Sequence, residues 1–246
     1  MPGSESGGVG NFWYSFDYGL AHFVSLDGET DFPYSPEWPF IRDVAGTSET
    51  LPTEDQTYVT DSGPFGAIDA NNWKDNSAYQ QLQWLEKDLA SVDRSKTPWV
   101  IAMSHRPMYS SEVASYQTDV RNAFEPLLLQ YDVDVYLSGH IHWYERLFPL
   151  ANGTIDTSSI INGNTYVTGT GKSLTHIING MAGNIESHST LSSDEPILNI
   201  TAVLDQKNYG FSKFTFQSAT TATWQFIKGD GSGIGDELTL IKKSYD

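Results

Sequence analysis

The chain contains no cysteine, so disulfides say nothing about its redox compartment. Positive charge is also scarce. Lys and Arg total 14 against 31 Asp and Glu, a net charge of −17, and this leaves no basic patch for nucleic acid or an anionic membrane. No run of about 18 apolar residues exists, which excludes a membrane-crossing helix. Residues 1–10 are polar and glycine-rich, unlike a signal peptide. There is no internal repeat and no low-complexity tract. What is present is a composition of 39% apolar residues with 13% aromatics over 246 residues, enough for a core in one large domain or two small ones.

Two stretches carry chemistry. Ser104-His105-Arg106-Pro107 follows the β-forming run 99–103, and Ser138-Gly139-His140-Ile141-His142-Trp143-Tyr144-Glu145-Arg146 follows the run 133–137. Between them, Val120, Phe124, Leu127, Leu128 and Tyr131 recur three or four apart and predict a helix over 118–131. Strand, helix, strand is a βαβ unit with parallel strands, whose carboxyl ends share one edge of the sheet and open on a crevice. His105, His140 and His142 are therefore expected to converge. Neutral imidazole is the commonest metal ligand, which makes these three the candidate metal ligands. In an extended segment both histidines of Gly-His-x-His share a face, whereas in a loop they splay toward two neighbouring ions. Two other readings stay open: a mononuclear zinc protein with three histidines and water, and a non-catalytic binding module of the same fold.

Ser104-His105-Arg106-Pro107 and Gly139-His140-Ile141-His142-Trp143-Tyr144-Glu145-Arg146 resemble the last two metal-binding motifs of the purple acid phosphatases, which are calcineurin-like metallophosphoesterases. Asn11–Gly19, Glu86-Lys87-Asp88-Leu89, Asp93–Trp99 and Asn179-Gly180-Met181-Ala182-Gly183-Asn184 are similar to the fungal secreted type. The resemblance runs from about Met1 to Gln225 and implies an α/β fold, two packed mixed β-sheets flanked by helices. Its first three metal motifs, Asp-x-Gly, Gly-Asp-x-x-Tyr and Gly-Asn-His, precede the matching segment in that family. The N-terminal part of the domain is therefore expected to be missing, with 1–150 the C-terminal half of the catalytic domain and 151–246 a strand-rich region packed on it.

The resemblance implies metal-dependent hydrolysis of phosphate monoesters at a dinuclear centre of iron with zinc or manganese. His105 and His140 would ligate the second, divalent ion, and His142 the iron(III). Arg106, Tyr144, Glu145 and Arg146 would support the imidazoles or touch substrate. Where plant members have a histidine thought to protonate the leaving group, this chain has Ser115, so the general acid is unassigned. Three histidines cannot fill two sites, so the chain alone is expected to be impaired. Small phosphate esters are the implied substrates, with no nucleic-acid or membrane partner. Secretion is implied as well, and the sequons at Asn152 and Asn199 are compatible with glycosylation.

Elsewhere, 12–17 and 20–26 predict a hairpin about Tyr18-Gly19, with His22 a packed strand residue without a ligand role. Residues 27–70 predict a long surface excursion, either a wall of the cleft or a solvated insertion without function. Residues 77–92 predict a helix capped by Ser77, in which neither Glu86 nor Asp88 is catalytic. Asn152-Gly153 and Asn162-Gly163 are turn signals, and 165–171 is a strand running into glycines. Gly169-Thr170-Gly171-Lys172 resembles a fragment of a phosphate cradle but lacks the P-loop spacing. His176 and His188 are expected to be solvated loop histidines, with a place on the cleft rim as the lesser alternative. Residues 211–216 and 221–227 predict a second hairpin, and 237–241 a closing strand.

Overall fold

The computed structural model describes residues 5–36, 74, 79–183 and 188–242. β1 (Tyr14–Tyr18) and β2 (Ala21–Ser25) form the predicted antiparallel hairpin. Gly19 turns it at φ 58°, a left-handed conformation that glycine adopts without a Cβ clash. Of the 27–70 excursion, 27–36 is described, and it is held against the next helix by Gln81 Nε2, which donates to the carbonyls of Asp27 (2.9 Å) and Thr30 (2.8 Å). That helix, α1 (Gln80–Ser91), buries Leu82, Trp84, Leu85 and Leu89. Its N-cap position is held by Tyr79 with no side-chain cap bond, and Ser77 lies outside the described residues.

The βαβ unit is present as β3 (Trp99–Met103), α2 (Tyr116–Gln130) and β4 (Val135–Ser138). β3 and β4 pair directly and in parallel, Ile101 opposite Val135 and Met103 opposite Leu137. The last residues of the second motif enter a strand, β5 (Tyr144–Leu147), in which every residue is buried. The small hairpin β6 (Leu150–Ala151) and β7 (Thr154–Ile155) turns at Asn152-Gly153, with φ 47° and 72°. β8 (Ile160–Asn162) and β9 (Thr165–Thr168) flank the turn at Gly163. β10 (Thr175–Asn179) and β11 (Thr201–Asp205) carry no clear period in the sequence and complete the first sheet. β12 (Gly210–Phe216), β13 (Thr221–Lys228) and β14 (Ile234–Lys242) complete the second.

The first sheet has the order β1-β2-β3-β4-β10-β5-β11 and the second β12-β13-β14-β9-β8; both are mixed. Residues after 150 thus supply two strands to the sheet that carries the histidine loops. Period-two alternation decides what fills each layer. Ala21, Trp99, Ile101, Val135 and Ile177 point inward against Trp224, Phe226, Leu238 and Leu240 of the second sheet. Their alternates Val24, Val100, Ala102 and Tyr136 point outward against α1 and α2. The expected architecture, packed mixed sheets with helices outside, is what these residues build.

Two buried carboxylates lock the layers. Asp236 takes Arg146 in a two-pronged pair (Nε to Oδ2 2.6 Å, Nη2 to Oδ1 3.0 Å) together with the Tyr144 hydroxyl at 2.8 Å. Asp134, fully buried, accepts from Val100 N–H and Lys242 Nζ, both at 2.8 Å, and so ties the last strand to the start of β3. Breaking one partner of such a buried pair costs about 3–5 kcal/mol, because the other charge is left uncompensated.

His22 fastens the hairpin to α1. Its Nδ1 is 2.7 Å from Asp17 Oδ1 and its Nε2 3.0 Å from Asp88 Oδ2, while Ser15 Oγ donates to the other Asp88 oxygen at 2.5 Å. Carboxylates only accept, so a ring bonded at both nitrogens is an imidazolium. Burial opposes that charge, but the hydrogen bonds to Asp88 and Asp17 and their attraction outweigh it and raise the pKa above 6.5. A raised folded-state pKa gives stability that is present in full below the unfolded value and is lost as pH climbs through the folded one. The melting-temperature advantage of the wild type over His22→Gln should therefore be largest near about pH 5.5 and shrink toward about pH 8.5. Thermal unfolding across that range checks it, and a constant difference contradicts the tie.

Candidate metal centre

The β3–β4 ladder runs on past the strand ends. Ser104 N–H donates to Leu137 C=O and Gly139 N–H to His105 C=O, each at 3.0 Å, so the two histidine loops are zipped side by side. Tyr136 hydroxyl adds a bond to Arg106 C=O at 2.7 Å. His140 then adopts φ 65°, a left-handed conformation that costs a non-glycine residue about 1–3 kcal/mol and concentrates at functional sites. Tight bonds from Ile141 N–H to Gly139 C=O (2.7 Å) and from Trp143 N–H to Ile141 C=O (2.8 Å) hold it. The segment from Gly139 to Trp143 is therefore a loop.

His105 and His140 meet: Nε2 of the first lies 3.1 Å from Nδ1 of the second, with the rings edge-on at 83°. His142 lines the same cleft of about 350 Å³, together with Asn179 and Gly180 from the end of β10. Ser189 clamps the His142 backbone, accepting from its N–H at 3.1 Å and donating to its C=O at 3.0 Å. Burial, followed by the nearby His105 and Arg106 charges, lowers the His140 pKa below 6.5 and favours the neutral, ligating form. Tyr116 packs its ring at 5.1 Å from His140, with the Arg106 guanidinium 4.8 Å from its own ring centre. Arg106 Nε donates to Glu29 Oε1 at 2.6 Å, so the described part of the 27–70 excursion does reach this loop.

Two nitrogens bonded at about 2.1 Å to one tetrahedral ion stand about 3.4 Å apart, close to the observed 3.1 Å. His105 and His140 therefore fit one shared cation. Among the described residues no group of three or more His, Asp or Glu side chains is arranged to hold a metal, and none of the described residues lining the cleft is acidic. The three histidines share a cleft without forming the compact three-ligand zinc site.

The other predicted residues are placed differently. Tyr144 and Arg146 face the second sheet and Asp236, and Glu145 faces the opposite way into a set of hydroxyl and N–H donors. Their hydrogen bonds fix β5 behind the loop and do not run to the imidazoles. Ser115 holds the N-cap position of α2. Asn152 and Asn199 are exposed, as glycan acceptors must be.

The expectation for His176 is corrected: it is fully buried on β10, against Tyr109 and Tyr136, where burial drives its pKa down to about 3. His188 packs on Tyr209 and Met181. Neither is among the residues lining the cleft. Gly169 and Gly171 lie beside Asp134 and Asp132, so that segment is no phosphate cradle. Asn179, Gly180 and Ser189 carry no titratable signal in the sequence. Gly180 is required sterically, since a Cβ there would sit 2.0 Å from the Ile141 carbonyl oxygen. The one hint was the 179–184 string that resembles the fungal secreted type.

Residues 12–144 match the family of calcineurin-like phosphoesterases, and residues 173–237 match iron/zinc purple acid phosphatase-like protein C. The chain is 65% identical over 246 residues to an acid phosphatase of Aspergillus ficuum, all of this chain but 40% of that protein. It is 51% identical over 129 residues to a phosphate-repressible acid phosphatase of Aspergillus niger, covering 52% of this chain and 29% of that protein. The fold matches a purple acid phosphatase from yellow lupin seeds with a TM-score of 0.63 at 21% identity, over 94% of this chain and 33% of that one. The chain spans less than half the length of these relatives. With the parallel strands, the paired histidine loops and the family match in agreement, this chain belongs to the calcineurin-like phosphoesterases, in the purple acid phosphatase group.

Proposed function

We propose that this chain forms the histidine side of a dinuclear metal centre that hydrolyses phosphate monoesters. The observation that carries the reading is the His105–His140 nitrogen pair at 3.1 Å, on a cleft that His142 also lines. His105 and His140 would hold the divalent ion, zinc or manganese, and His142 the iron(III). Bound cations would supply Lewis-acid polarisation of the phosphoryl group and neutralise charge on the attacking and leaving oxygens.

The chain's own residues present neutral imidazoles at fixed angles and add the Arg106 charge beside them. That charge favours phosphoryl oxygens, although Glu29 shares it. The general acid stays unassigned. Small phosphate esters are the proposed substrates, with no nucleic-acid partner at a net charge of −17. No described helix is long and apolar enough to cross a membrane. Secretion, with glycans on the exposed Asn152 and Asn199, completes the reading.

Neutral imidazoles do not compensate the charge of two such ions. The 246-residue chain alone should therefore bind at most one zinc, weakly, and turn over a chromogenic phosphate ester little. Zinc titration during that assay decides it, and robust turnover by the isolated chain would show that its own ligands suffice. His140→Ala should lower zinc affinity by more than about 100-fold, beyond the loss typical when only a ligand's supporting partner is changed. An unchanged zinc isotherm would remove His140 from the ligand set. Gly180→Ala should displace the His140–Trp143 loop and destabilise the fold by about 1–3 kcal/mol, read from denaturant unfolding. Wild-type stability in that variant would mean the close approach to Ile141 is relaxed at little cost.

A further inference from the structure

Glu145 is fully buried, yet among the described residues it makes no ion pair with a cationic side chain. Its two oxygens are surrounded by donors from four residues on three segments. Ser110 Oγ donates to Oε2 at 2.9 Å, Ser111 N–H to Oε1 at 2.9 Å, Trp143 Nε1–H to Oε2 at 3.0 Å, and Thr201 Oγ1 to Oε1 at 2.5 Å. Two of these are obligate donors: the Trp143 indole bonds Oε2, and the Ser111 amide lies 2.9 Å from Oε1 and 3.2 Å from Oε2. A carboxylate, which accepts at both oxygens, satisfies them. A glutamine keeps only one accepting oxygen: on the Trp143 side it retains the longer Ser111 bond and turns its NH₂ toward the Ser111 N–H, and on the other side it turns its NH₂ toward the Trp143 indole.

The segments joined this way lie directly behind the cleft. Ser110 and Ser111 follow the His105 loop on its way to α2, Trp143 adjoins His142, and Thr201 opens β11 on the far side of β5. The network extends through Ser111 Oγ, which pairs with Thr201 Oγ1 at 2.9 Å and accepts from Leu198 N–H at 3.2 Å. The backbone bonds described above join the two histidine loops at the front, and Glu145 joins the chain that leaves each of them at the back. We infer that Glu145 is a positioning residue: through Ser110–Ser111 and Trp143 it sets the separation of the His105 and His140 rings, and thereby the cation affinity of the cleft. The affinity part of this inference rests on the metal reading proposed above; the ring-separation part does not.

The test compares the wild-type chain, Glu145→Gln and Asp134→Asn by zinc titration, by NMR of the histidine ring signals and by thermal unfolding. Asp134 is an equally buried carboxylate at the opposite end of the parallel strands, so it reports what loss of stability alone does. Glu145→Gln should shift or broaden the His105 and His140 ring signals while leaving that of His22 in place, and weaken zinc binding about 10- to 100-fold. Asp134→Asn should lower the melting temperature and leave the ring signals and zinc affinity unchanged. Ser110→Ala, which removes one donor and keeps the carboxylate, should move the same signals less, and it carries the test if Glu145→Gln does not fold. Unchanged His105 and His140 signals and unchanged zinc affinity in the folded variant would overturn the inference and leave Glu145 a packing residue. If the wild type binds no zinc at all, the metal reading fails by itself, and the ring signals still decide whether Glu145 positions the histidines.

Discussion

The separation of His105 from His140 depends on the parallel pairing of β3 with β4. These strands are adjacent, and their ladder continues through Ser104 N–H to Leu137 and Gly139 N–H to His105, so the loops start in register and cannot slide past each other. A one-residue slip would turn Ile101 and Val135 out of the inter-sheet core and Val100 and Tyr136 into it, so register and burial enforce one another. The loops can then carry a costly backbone conformation at His140, because the scaffold beneath over-determines it.

The scaffold is held by apolar packing and by a few buried charges at separate points. Arg146 with Asp236 bridges the two sheets at β5, and Lys242 with Asp134 secures the last strand to the beginning of β3 and β4. Each charge has a partner of opposite sign, the condition under which a buried charge is tolerated, although only one Asp134 oxygen is hydrogen-bonded among the described residues. Such pairs favour one arrangement of the layers, because any alternative strands a charge in the interior. Glu145 and His22 follow the same rule with different partners: one carboxylate meets only neutral donors, and one imidazolium meets two carboxylates.

Much of this was legible in residue order. The β1–β2 hairpin, the strand-helix-strand unit and the β12–β13 hairpin all announce themselves through period, turn residues or both. β10 did not, because it is buried on both faces and the alternation that marks a half-exposed strand disappears, and neither did β11, an edge strand whose residues are all half-buried. His176 looked like a loop histidine for that reason. The resemblance implies that Tyr144, Glu145 and Arg146 support the imidazoles or touch substrate, and says nothing of which way each faces. Strand alternation sends Tyr144 and Arg146 to the inter-sheet layer and Glu145 to the opposite side.

Sequence alone determined that three imidazoles would gather at one sheet edge, since a βαβ unit has one handedness and parallel strands share their carboxyl ends. It also determined the family, through strings too specific to arise from composition. Only the tertiary structure decided which two imidazoles touch, that the third stands apart on the same cleft, and which buried groups hold them there. Those outcomes depend on distances between segments remote in sequence, such as Ser111 from Glu145 and Ser189 from His142, and local periodicity carries no information about such distances.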